Sequence, residues 1–157
     1  MKMKLFYCDS DFIFRENNFN ELLKDVKKCK IIGSSTGRKE LTWNKMDTIN
    51  RIGVKITEND IQIQAGILLI CVCKETRALV EEWYSICYEN SYRYLDDTPS
   101  SKPNHKSFVE HRHDQSIFSL LLKKHNIGYK TNIMDVLKTQ KFTPYNNNVR
   151  KRTRHRH

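Results

Sequence analysis

Two short stretches crowd chemically capable side chains into few positions. The first is Asp9-Ser10-Asp11, directly after the apolar run MKLFYC (3–8). In an extended chain residues i and i+2 point to the same side, so Asp9 and Asp11 aim two carboxylates at one place. Ligands bind off the carboxyl ends of sheet strands, and a hard cation bridging to phosphates needs one or two carboxylates in this arrangement. A solvated turn is the plain alternative, because D-x-D is short and frequent. The second stretch, FVEHRHDQSIFSLL (108–121), sets Glu110, His111, Arg112, His113, Asp114 and Gln115 at the mouth of a helical run. With His113 as N-cap, Asp114 falls in the first helical turn, where the helix dipole and free amides favour a carboxylate. That is enough to explain Asp114 as a first-turn acid. A carboxylate held there beside imidazoles and a guanidinium also suits general-base chemistry next to an anionic leaving group. Glu110 and Arg112 can pair with each other. His111 and His113 suggest a metal, but neither a Cys nor an acid completes a set at zinc-ligand spacing.

The elements that must position these residues follow from periodicity. Residues 3–8 read as a strand ending at the acidic triplet. Asn17 or Asn18 can cap a helix carrying Phe19, Leu22, Leu23 and Val26 on one face. A brief strand KIIG (30–33) leads into a polar loop, SSTGRKE. Thr42 is placed to cap a helix, WNKMDTINRIG, stopped by Gly53. The run IQIQAGILLICVC (61–73) alternates and then turns continuously apolar, as expected of a strand entering the middle of a sheet. Residues 75–92 form an amphipathic helix. A Pro/Ser/Asp/Asn loop (94–108) follows, and a helix from about His113 to His125, ended by Gly128. Alternating strands and helices predict an α/β class.

Bulk properties narrow the partners. A chain of 157 residues fits one domain with a real core. The longest apolar stretch is half a bilayer span, and the N-terminus turns acidic too early for a signal peptide, so a cytoplasmic protein without a membrane span is expected. The five cysteines are odd in number and mostly sit in apolar runs, which favours buried thiols. The net charge of +10 is uneven. Residues 1–100 hold 15 basic and 15 acidic side chains, whereas residues 101–157 hold 13 and 3. Much of that excess is the tail RKRTRHRH, expected to be a disordered arm (146–157) that attracts polyanions.

Taken in order, YCDSDFIF, ELTWNKMDTI, QIQAGI, VEEWYSICYEN, LDDTPS and FVEHRHDQSIFSLL resemble the second half of a GT-A-type glycosyltransferase, of the kind found in giant viruses and in capsular or surface polysaccharide clusters. The resemblance covers roughly residues 4–130. It implies a partial GT-A-like, Rossmann-like mixed sheet flanked by helices (1–145). Since nucleotide-binding βα units precede the DxD in the family, it also implies that those N-terminal units are missing and that the chain is a fragment or an inactive relative. Asp9 and Asp11 resemble the DxD that touches the ribose and holds Mn²⁺ or Mg²⁺ on the diphosphate. Gln64, Ala65 and Gly66 resemble the glycine-bearing strand beside donor sugar and acceptor, and Asp114 the helix-start acid that serves as base in inverting enzymes. Glu110, His111, Arg112, His113 and Gln115 would shape the pocket. The implied partners are a nucleoside-diphosphate sugar and a glycan acceptor, in a viral, host or bacterial cytoplasm. The rival expectations are a basic nucleic-acid-binding protein and an inactive partner subunit.

Overall fold

The computed structural model describes residues 3–10, 12–14, 19–127, 129–131, 133–137 and 139–141. Asp11, the proposed caps Asn17 and Asn18, Gly128 and the basic tail lie outside the described residues. The chain is a small mixed α/β unit. Its main sheet contains β1 (Lys4–Cys8), β6 (Ile67–Cys71), β3 (Ile31–Gly33) and β7 (Tyr129–Thr131), in that spatial order. β6 runs antiparallel to both β1 and β3, and β3 is parallel to β7. Three strands therefore share one direction and β6 opposes them. Two small antiparallel ribbons complete the strands: β2 (Phe12–Phe14) with β8 (Thr139–Lys141), and β4 (Ser35–Lys39) with β5 (Ile61–Ile63).

β6 is buried on both faces, which is why its sequence is continuously apolar. Leu68 and Ile70 face a core built with Ile31, Leu79 and Ile86, and with Ile117, Phe118 and Leu121 of α5 (His113–Lys124). Ile67, Leu69 and Cys71 face the other way. They meet Ile32, Leu22 and Val26 around α1 (Phe19–Asp25), and Ile133 and Leu137 of α6 (Ile133–Leu137). On the first face α4 (Lys74–Tyr88) packs along α5, with Trp83 stacked on Phe118 at 4.8 Å. All five cysteines are free thiols; Cys71 is buried and the others half-buried.

Three expectations need correction. The polar segment after β3 is a strand: Ser35–Lys39 pairs with β5, and Thr36 Oγ1 donates to Gln62 O (3.0 Å). It lacks an apolar pattern because it lies on an exposed ribbon. The run 61–73 is two strands in two sheets, broken at Gln64-Ala65-Gly66. The helix expected from Thr42 is two helices, α2 (Glu40–Trp43) and α3 (Met46–Ile52), parted at Asn44-Lys45. Lys45 is buried there, its ammonium donating to Arg93 O, Asp96 O (2.8 Å) and Thr98 O (3.2 Å). Gly53 does end α3, in the left-handed conformation at φ 73° with its N–H bonded to Ile49 O.

The long loop 93–112 is ordered by α3. Asp47 accepts hydrogen bonds from Arg93 Nη2 (2.7 Å), Ser101 N (3.0 Å), Ser101 Oγ (2.9 Å) and Lys102 N (3.3 Å). Burial alone would raise its pKa, but these donors outweigh it and hold the carboxyl at about 2.

Candidate functional site

The carboxyl ends of β1 and β3, the start of β6 and the start of α5 meet at one edge of the sheet. Asp9 lies just past β1, and its N–H bonds to Gly66 O at 2.8 Å, continuing the β1–β6 ladder. The Asp9 carboxylate lies over Gly66: a Cβ at that glycine would stand 2.6 Å from Oδ2. The other oxygen, Oδ1, accepts from the Tyr7 hydroxyl at 2.8 Å. That hydrogen bond, with burial and the charges of Asp9 and Asp114, pushes the Tyr7 phenol up to about 12.

Asp114 reaches the same edge from the other side. It follows His113, the first residue of α5, which adopts a left-handed φ of 50°. Asp114 keeps an exposed surface, yet its carboxyl pKa is raised. The protein around it disfavours the charge, and the Asp9 carboxylate adds repulsion; the amides of Gln115 and Asp114 and the His113 ring oppose the rise. Trp83 Nε1 donates to Asp114 O (2.9 Å), fixing the helix start against α4. Asp9 and Asp114, 105 positions apart in sequence, are therefore near enough for the Asp9 charge to oppose ionisation of Asp114.

A latch sets the rest of the approach to α5. Ser116 Oγ donates to Trp43 O (2.8 Å) and accepts from Arg112 N (3.0 Å), and Arg112 N also lies 3.2 Å from Trp43 O. Gln62 donates to Ser116 Oγ (3.3 Å) and accepts from Gln115 Nε2 (2.7 Å). Beneath it, buried Glu40 accepts from Ser119 Oγ (2.5 Å), Lys123 Nζ (2.5 Å) and Asn44 Nδ2 (2.5 Å). Glu40 ends SSTGRKE, the segment expected to be a polar loop, yet it is fully buried.

The residues of the EHRHDQ stretch divide. Gln115 and Gln64 line one cavity, Asp114 is exposed beside Gln115, and Ala65 is buried between Gln64 and Gly66. Arg112 is ion-paired to Glu110 (3.0 Å) and stacked on Trp43. His113 points to Asp97 (3.3 Å). His111 is 4% exposed and held by the loop: its Nε2–H donates to Tyr94 O (2.8 Å) and Nδ1 accepts from Lys45 N (3.4 Å). Burial pushes its pKa down to about 4, so the ring is neutral and positions the loop rather than meeting a ligand.

Beside this edge lies a polar cavity of about 310 Å³, lined by Ser35, Thr36, Arg38, Gln64, Arg112 and Gln115. Arg38 and Arg112 both place their guanidinium over the Trp43 ring, at 4.3 and 4.5 Å from its centroid. Sequence reasoning missed Arg38 and Trp43. The only available signal was their basic-aromatic composition, because a stacked pair from β4 and the α5 approach depends on the tertiary latch.

Among the described residues no three His, Cys, Asp or Glu side chains form a group able to hold a metal. A Mn²⁺ or Mg²⁺ ion would rely on Asp9 with ligand phosphate oxygens, which fits the hard oxygen chemistry of such sites. No described helix is long and apolar enough to cross a membrane. No family model matches the chain, and neither a curated protein nor a solved structure matches it significantly.

Proposed function

We propose that the chain is a glycosyltransferase-like domain of GT-A type, handling a nucleoside-diphosphate sugar and moving the sugar to a carbohydrate hydroxyl. The observation that carries this reading is the Asp9 carboxylate lying over Gly66 just past the carboxyl end of β1, with Asp114 at the start of α5 near enough to feel its charge. One acid at the carboxyl end of a strand and another in the first turn of a helix, in different environments, suit a division of labour. Asp9 would face the nucleotide side, holding ribose or a divalent ion that neutralises diphosphate charge. Asp114 would take the acceptor's proton. Burial raises its pKa, which makes it a stronger base than an ordinary aspartate. Gly66 leaves room for the Asp9 carboxylate against the backbone. β1 lies at the sheet edge with Met3, Leu5 and Tyr7 exposed, which fits a sheet continued by further strands, as a partial GT-A fold requires.

The test is release of nucleoside diphosphate from a panel of nucleotide sugars, with Mn²⁺ and oligosaccharide acceptors present. Asp114→Asn should lower turnover by about 10²–10⁴ while donor affinity stays within a factor of about two, because Asn preserves shape but cannot accept the proton. Absence of both donor binding and turnover in the wild-type chain, or wild-type turnover in the variant, would overturn the reading.

A further inference from the structure

We infer that Arg38 and Arg112, stacked on Trp43, form a clamp for the carboxylate of an acidic sugar, so that the acceptor is a uronate-type glycan. The assignment of this ligand to the acceptor rests on the glycosyltransferase reading; the anion site itself does not.

Two guanidiniums line the 310 Å³ cavity, a size at the lower end of ligand sites (about 300–1,000 Å³). Arg112 meets Glu110 through Nε. Among the described residues its terminal amino groups have no hydrogen-bond partner, and Arg38 has no ion-pair partner. Contact with the same indole restrains both side chains, which lowers the ordering cost of docking an anion. Guanidinium forks match a carboxylate in bidentate fashion, and such charge-assisted bonds are the strong ones. The remaining walls are hydroxyls of Ser35 and Thr36 and amides of Gln64 and Gln115, donors and acceptors suited to sugar hydroxyls.

The same surroundings argue against a phosphate. Phosphate loops aim free backbone amides at the ligand. Here the turn's amides are taken by its own side chains: Gly37 N by Ser35 Oγ (3.1 Å) and Arg38 N by Thr36 Oγ1 (3.0 Å). The α5 amides of Asp114 and Gln115 serve the Asp114 carboxylate. The two glutamines adjoin the Asp9–Asp114 opening in sequence, Gln64 two residues before Gly66 and Gln115 directly after Asp114. The cavity thus lies next to the reacting edge and away from the β1 side where the diphosphate belongs.

The chain has two tryptophans, and their indole N–H resonances give a site-specific reading. The ¹⁵N-labelled full chain would be titrated with glucuronate, glucose and inorganic phosphate at matched ionic strength. Glucuronate should shift the Trp43 signal saturably and leave that of Trp83 in place; glucose should move neither. Arg38→Gln should weaken glucuronate at least about tenfold, as expected for a lost charge-assisted hydrogen bond. Arg38→Lys should restore little, because the fork geometry is lost with the charge kept. An unmoved Trp83 signal reports that both variants remain folded. Equal responses to glucose and glucuronate, no saturable shift, or tighter Arg38-dependent binding of phosphate would each overturn the clamp. Since the titration needs no turnover, glucuronate binding without donor turnover would strike only the glycosyltransferase reading, and the converse only the clamp.

Discussion

Gly66→Ala tests the packing at the reacting edge most directly. The added Cβ would stand 2.6 Å from Asp9 Oδ2 and 3.3 Å from Cγ, with Phe12 Cε2 at 3.5 Å on another side. To reach 3.4 Å, the near limit of ordinary contact, the carboxylate must retreat by about 0.8 Å. Carboxylates at the end of a short side chain can rotate, so the backbone need not move. The retreat instead breaks the Tyr7–Asp9 hydrogen bond, now 2.8 Å, by carrying it beyond about 3.5 Å. Because Tyr7 is nearly half exposed, that loss is worth about 0.5–1.5 kcal/mol, a fall in Tm of a few degrees. The diagnostic reading is Tyr7 itself. Its phenol is held up at about 12 chiefly by that hydrogen bond, and in the variant it should fall back toward the ordinary phenol value of 10.0. Titration of ¹³Cζ-labelled tyrosine, with Tyr7→Phe identifying the signal among the seven, reads this directly. An unaltered Tyr7 titration in Gly66→Ala would refute the placement of the carboxylate over the glycine.

Asp114→Asn should be neutral or slightly stabilising at pH 7, as well as catalytically damaging. The folded carboxyl pKa is raised, so its favourable contribution is complete below the unfolded value of 3.8 and is lost as pH rises through the folded one. A loss of about 0.3–1 kcal/mol in denaturant unfolding, with turnover unchanged, would mark Asp114 as a helix-start acid only. His111 behaves in the opposite sense: its pKa is depressed to about 4, so stability present above 6.5 drains away as pH falls through 4, by about 2–3 kcal/mol. Unfolding midpoints at pH 7 and 4.5 should converge in His111→Gln, and an unchanged acid slope would count against the neutral buried ring. Glu40→Ala should cost about 3–5 kcal/mol by urea unfolding, since it strands the Lys123 ammonium, only 14% exposed, without its partner. A cost below about 1 kcal/mol would show that the network relaxes.

What was legible in the sequence follows from where local pattern and tertiary demand agree. The α5 helix and β6 carry their burial in their own periodicity, so both were readable, as was Asp9 at the end of a strand. The break inside 61–73 left a trace, the change from alternating to continuous apolar residues, but that trace also fits one strand crossing from sheet edge to centre. Only pairing separates the readings: Ile61 and Ile63 join β4, whereas Ile67–Cys71 joins β1 and β3. β4 was illegible because its residues bury almost nothing and its strand character comes from its partner. The two histidines looked alike in sequence. Burial against Lys45 and Tyr94 separates His111 from the exposed His113, and that contact spans 66 positions.

The three-residue crossover Gln64-Ala65-Gly66 explains why the two halves of the edge belong together. Gln64 N is tied to Ser34 O (2.8 Å) at the end of β3, and Gly66 O to Asp9 N at the end of β1. One short backbone segment thus links the guanidinium cavity, lined by Gln64, to Gly66 beneath the Asp9 carboxylate. Buried Ala65 anchors its middle at 4% exposure, which leaves little freedom for either end to move alone. An acceptor held by its carboxylate at Arg38 and Arg112 would present its hydroxyl at a fixed reach from Asp114. The gain from such positioning appears in turnover more than in ground-state affinity. Arg38→Gln should therefore lower kcat for an acidic acceptor as well as raise its KM, and leave a neutral acceptor nearly unaffected.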